Sequence, residues 1–284
     1  MKRIALLLSL LLPGWAMAQP PQRIVSLAPS LTEILFAVGA GERVVGVTDY
    51  CRYPAAAARL PKVGGYYDVN YERLLALRPD LVVYIPSEGA QKERLGALGI
   101  PLLELDQIDS IERIVASVVT LGDAVGVAAK GGELAADLRR KVAALKRRTE
   151  GAKRPNILIS VGRSVGSGPV KQIFAAAADT FYDDLISLSG GKNAYTGNGA
   201  FPIIGGEGLR ATDPDLILDL IPYLAEAGIE PSAALAEWEA IRGISLPEKT
   251  RVVIVEAGDA VIPGPRFIDF AERLAALLHP EATR

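Results

Sequence analysis

Apolar residues in this chain fall into two kinds of run. Short continuous runs at 23–27, 44–47, 81–85, 102–105, 156–161, 216–221 and 251–255 have the length and β-branched character of strands buried on both faces. Between them lie stretches with helical spacing, at 31–38, 91–98, 111–121, 182–189 and 267–278. The longest such stretch spans about 126–150. There Leu134, Leu138, Val142 and Leu145 recur at intervals of four, four and three, while Arg139, Arg140, Lys146, Arg147 and Arg148 take the other faces. Gly131 and Gly132 weaken its first turns by about 1 kcal/mol each relative to Ala, which moves the expected start toward Glu133.

The segments on either side of this helix resemble each other. Glu72 is followed seven residues later by Pro79-Asp80-Leu81, and Glu207 seven residues later by Pro214-Asp215-Leu216, a constant offset of 135. Each half also opens with a strand, at Ile24 and at Ile157, offset by 133. One long duplication is not a solenoid, which needs several short repeats. The expected fold is α/β, with two α/β lobes of buried, mostly parallel sheets joined by a single long backbone helix. The expected divisions are 1–18, 19–122 for the first lobe, 123–150 for the connecting helix and 151–284 for the second lobe.

Residues 1–18 read as a cleaved signal peptide. Lys2 and Arg3 precede an apolar run at 4–12, and Ala16-Met17-Ala18 places small residues where a signal peptidase reads them. That run is too short to span a bilayer, and no later stretch offers ~18 uninterrupted apolar residues. An exported protein is expected, periplasmic and monomeric, without a cysteine at the cleavage site to carry a lipid. Removing residues 1–18 leaves 29 basic against 33 acidic residues, a balance that argues against nucleic acid as a partner. Cys51 is the only cysteine, so no internal disulfide can form; it reads as a small, partly buried residue or as a reactive or metal-ligating thiol.

An enzyme finds little support. His279 is the only histidine and lies five residues from the C-terminus, which leaves no plausible Ser-His-Asp set and no histidine-based metal site. Asp183 and Asp184 stand at a helix start, where capping accounts for them. The stretch Arg163-Ser164-Val165-Gly166-Ser167-Gly168 lacks the lysine and spacing of a phosphate loop. No catalytic residue and no metal ligand is assigned.

Several motifs together resemble the periplasmic binding proteins of cobalamin and iron-chelate ABC importers. They are Ile24-Val25-Ser26-Leu27-Ala28-Pro29-Ser30-Leu31-Thr32-Glu33, Gly46-Val47-Thr48-Asp49-Tyr50-Cys51-Arg52-Tyr53-Pro54, Pro61-Lys62-Val63-Gly64-Gly65, the run from Asn70 to Leu81, and Gly190-Gly191-Lys192-Asn193-Ala194. The resemblance covers about 23–279. It implies a ligand cleft between the lobes, little closure on binding, and one glutamate on each lobe that docks on arginines of the membrane permease. The matching residues are Glu72 and Glu207, the pair already marked by the duplication. The alternative is that both are ordinary solvated helix residues.

Cleft residues are expected on loops at the strand ends that face the other lobe. In the first lobe these carry Tyr50, Tyr53, Tyr66, Tyr67 and the stretch from Tyr84 to Glu88; in the second, Ser164, Phe201, Asp259 and Arg266. Five of nine tyrosines on such loops suit a large flat ligand, because aromatic rings give wide apolar contact at low entropy cost. The alternative is that they pack beneath the loops. Tyr66 and Phe201 stand where the cobalamin binders of the resembled family carry tryptophan. Tyr66 or Tyr67 could instead ligate haem iron through its phenolate. Arg266 could meet an acidic ligand group or serve the lobe structurally. The expected ligand is thus cobalamin or a related corrinoid, then a ferric siderophore, then haem. No resident cofactor is expected, and sensing without transport is a further alternative.

Overall fold

The computed structural model describes residues 19–86, 91–106 and 108–283. The expected signal peptide and part of one expected cleft loop, Ser87 and Glu88, lie outside the described residues. The first sheet has four parallel strands, β1 (Ile24–Ser26), β2 (Val44–Val47), β3 (Leu81–Tyr84) and β4 (Leu102–Glu104), in the order β2-β1-β3-β4. Around it lie α1 (Pro29–Ala37), α2 (Ala55–Ala58), α3 (Tyr71–Ala76), α4 (Gln91–Gly96) and α5 (Ile111–Ala124). Then comes α6 (Ala128–Arg148), the connecting helix.

The second sheet is built on β5 (Asn156–Gly162), with β9 (Leu216–Leu220) and then β10 (Arg251–Val255) parallel to it on one side. On the other side β6 (Gln172–Ala175) pairs antiparallel with β5 and β8 (Ile203–Gly205) antiparallel with β6, and the short β7 (Lys192–Asn193) pairs with the start of β5. The two antiparallel strands were not legible as apolar runs, because their residues alternate between buried and exposed. The second-lobe helices are α7 (Phe181–Leu188), α8 (Gly206–Thr212), α9 (Pro231–Glu239) and α10 (Phe267–Leu278).

α6 starts at Ala128 rather than near Glu133, and Gly131 packs within it against α5. A Cβ added at Gly122 of α5 would lie 2.9 Å from the Gly131 Cα, so the two helices cross with backbones nearly touching. Their contact offsets the propensity cost of Gly131. The expected apolar face is the one that packs: Leu138 and Leu145 are buried, and Leu134 and Val142 lie against the same core. That core runs without interruption from Ile24 and α1 through α5 and α6 to α7 and α10, so both lobes share it.

The duplication is visible in atomic detail. α3 and α8 are each followed by a left-handed residue, Arg78 (φ 46°) and Asp213 (φ 41°), and these are the only non-glycine residues of positive φ among the described residues. Each then enters Pro-Asp and a strand. Asp80 accepts from the Gln22 and Arg23 amides at 2.7 and 2.8 Å, and Asp215 accepts from the Asn156 amide at 2.9 Å. In both lobes the same aspartate therefore fastens the chain entering β1 or β5.

Candidate functional site

The C-terminal ends of β2 and β9 and the loop before α10 border a cavity of about 280 Å³ between the lobes. Its walls include Glu33, Tyr50, Arg52 and Tyr53 from the first lobe and Tyr223, Glu226 and Arg266 from the second. Arg52 pairs with Glu226, and its guanidinium carbon lies 4.2 Å from the Tyr223 ring centroid. Arg266 makes a two-pronged pair with Glu33, at 3.0 and 2.5 Å, and lies 3.8 Å from the Tyr53 ring centroid. Glu33 is 4 % exposed and Arg266 24 %. Burial pushes the Glu33 carboxyl up, against the hydrogen bond and charge of Arg266, which lower it. Arg266 is itself shifted up, with burial opposing and the Glu33 hydrogen bond driving the rise.

The other sequence-derived site residues are scattered. Tyr84 does not reach the cavity: it is 1 % exposed, packed in the core of the first lobe, with its hydroxyl donated to Glu104 at 2.6 Å. Strand β3 is buried on both faces, so its pattern gave no sign of which way residue 84 points. Asp259 is turned to Arg273, whose guanidinium donates to both carboxylate oxygens at 2.9 and 2.8 Å; its neighbours Gly258, Val261 and Ile262 line the cavity instead. Tyr66 is half-buried, and burial, then Tyr67, pushes its phenol up, which disfavours a free phenolate. Tyr67 is exposed and meets Tyr66 edge-on, with ring centroids 4.9 Å apart. Ser164 is exposed on the loop after β5, and Phe201 is exposed with its ring edge-on to Tyr182. Tyr66, Tyr67, Ser164 and Phe201 do not border this cavity.

A sequence match to the periplasmic binding protein family spans residues 24–230. The chain belongs to that family. Curated relatives include an uncharacterised ABC transporter substrate-binding lipoprotein from Bacillus subtilis, 28% identical over 92% of this chain and 81% of its own length. A vitamin B12-binding protein from Vibrio parahaemolyticus is 28% identical over 84% of each chain. Among solved structures, the periplasmic heme-binding protein RhuT from Roseiflexus sp. RS-1, in apo form, superposes with a TM-score of 0.77 at 26% identity. That match covers 92% of this chain and 99% of that one.

In this periplasmic binding protein Glu72 and Glu207 occupy equivalent places. Each is the second residue of a short helix, α3 or α8, is exposed, and takes part in no ion pair among the described residues. Cys51 lies beside the cavity but is buried. Thr32 and Thr48 hydroxyls stand 3.2 and 3.1 Å from its sulfur, and burial pushes the thiol up. Among the described residues no group of three or more His, Cys, Asp or Glu side chains is placed to hold a metal ion, and no helix is long and apolar enough to cross a membrane.

Sequence reading missed four residues of the cleft: Glu33, Arg52, Tyr223 and Glu226. Tyr223 was within reach, since the 135-residue offset that relates the lobes carries the first-lobe loop 84–88 onto 219–223. Glu33 carried no such signal. It stands inside α1 among apolar residues, and the partners that show which way it faces, Arg266 and Gly264, lie far away in the chain.

Proposed function

We propose that this protein is an exported solute-binding protein that captures a tetrapyrrole, cobalamin or a related corrinoid in first place, and delivers it to an ABC importer. The observation that carries this reading is the interlobe cleft, where Tyr50, Tyr53 and Tyr223 present aromatic surface and Arg52 and Arg266 present two cationic groups. Aromatic walls with a few polar anchors suit a large planar ligand that is bound and released unchanged. The vitamin B12-binding relative and the heme-binding structure both support a ligand of this class. At about 280 Å³ the cleft lies at the lower edge of the ~300–1,000 Å³ usual for small-molecule pockets. The protein works in the periplasm once residues 1–18 are removed. Glu72 and Glu207, one on each lobe, dock on basic pockets of the permease by charge-assisted pairing.

Haem is the second reading, favoured by the two arginines, which match a ligand with two carboxylates better than one ringed by amides. The deciding experiment titrates the mature protein with cyanocobalamin, haemin and a ferric hydroxamate in parallel, following fluorescence corrected for ligand absorbance. Saturable submicromolar binding of cyanocobalamin alone supports the corrinoid reading. Binding of haemin alone replaces it with the second. Failure of all three sinks the tetrapyrrole assignment and leaves the fold untouched.

A further inference from the structure

The two arginine pairs of the cleft are crossed. Arg52 belongs to the first lobe and meets Glu226 and Tyr223 of the second; Arg266 belongs to the second and meets Glu33 and Tyr53 of the first. Among the described residues these are the two ion pairs that join residues 24–104 to residues 156–278. All six side chains line the same cavity. Each arginine thus spans the cleft to an aromatic face and a carboxylate, which are the two kinds of group that a flat acidic ligand would itself bring.

We propose that Glu33 and Glu226 are internal occupants of Arg266 and Arg52, a double latch that holds the lobes together until a ligand bearing two anionic groups takes their place. This rests on the cleft being the ligand site and on the haem reading of its ligand. Exchange is easy in energetic terms because each guanidinium gives up one carboxylate for another, and the buried area of the ligand then decides the outcome. The latch is also weak enough to open. Arg52 and Glu226 are 46 % and 57 % exposed, and a pair of that kind shifts an equilibrium by about fivefold at most. Glu33 is the firmer half, being buried and held at two points. The two glutamates therefore act as specificity-determining residues: a neutral ligand must break both pairs and leave the arginines empty, whereas a diacid refills them.

The first test needs no ligand. Spin labels on Glu72→Cys and Glu207→Cys report the distance between the lobes, and Cys51, being buried, stays unlabelled. Glu226→Gln and Arg52→Gln should each broaden that distribution toward longer distances. An unchanged distribution in both overturns the latch, whichever probes bind. The second test compares haemin with haemin dimethyl ester, which keeps the ring and loses both carboxylates. Glu226→Gln should tighten both by about two- to fivefold, since it removes only the internal competitor. Arg52→Gln should tighten the ester yet weaken haemin about tenfold or more. An Arg52→Gln effect of the same sign on both probes refutes the exchange. If neither probe binds, the haem reading fails and the spin-label distances still decide the latch.

Discussion

Replacing Asp219 by Ala should cost this protein about 3–5 kcal/mol of stability. Its carboxylate is fully buried at the end of β9 and accepts from Arg163 Nε at 2.7 Å and from Trp238 Nε1 at 2.8 Å. Arg163 is also buried; it pairs with Glu237 and donates to the Ala234 carbonyl at 3.0 Å. Without Asp219 the guanidinium keeps one carboxylate but loses the other, and the indole N–H is left in the core without an acceptor. For a chain of this size ~1 kcal/mol moves Tm by about 2–4 °C, so a fall on the order of 6–20 °C is expected. Trp238→Phe, which removes only the indole donor, should cost about 1–3 kcal/mol. Arg139→Ala, which breaks an exposed pair with Glu112, should stay under about 1 kcal/mol. Urea denaturation followed by circular dichroism measures all three. An Asp219→Ala loss no larger than that of Arg139→Ala would mean that water reaches the cluster and that the burial argument is wrong.

The remaining expectations concern backbone approach, acid stability and docking. Gly122→Ala should destabilise by about 1–3 kcal/mol, because the added methyl meets the Gly131 backbone, whereas Gly132→Ala opens onto free space and should stabilise by roughly 0.5–1 kcal/mol; thermal melts separate the two signs. The Asp215 carboxyl is held below the usual range, chiefly by the Asn156 amide and then by Lys249. A lowered folded pKa means that its contribution is present above the unfolded value of ~4 and is lost as pH falls below it; Asp215→Asn should therefore shrink the stability difference between pH 6 and pH 3, and an unchanged acid limb would contradict the assignment. Glu72→Ala combined with Glu207→Ala should abolish uptake in cells while leaving ligand affinity unchanged; a matching loss of affinity would rule out docking as their role.

What could be read in advance followed periodicity and repetition. The apolar face of α6 and the parallel strands were written in spacing, and the Pro-Asp-Leu repeat pointed to two aspartates with the same task. Residues whose partners lie far away in the chain were not legible. Glu33 and Arg266 are 233 positions apart, and Arg52 and Glu226 174. Asp259 was assigned to the cleft by its loop, yet Arg273 on the next helix holds it. Gly131 looked like a weakness in a helix because its cost is local, while its benefit comes from Gly122 on a neighbouring helix.

The shared core carries a consequence for how the chain is made. Ile24 near one end and Leu274 and Ala275 near the other belong to the same buried cluster, with α5, α6 and α7 between them. A growing or translocating chain cannot complete that cluster until α10 has emerged, some 250 residues after β1. A partial chain, though it already holds one whole copy of the duplicated unit, presents an uncovered apolar helix layer. A truncation that removes α10 should leave the first lobe prone to stick to other chains rather than fold as a half-sized protein.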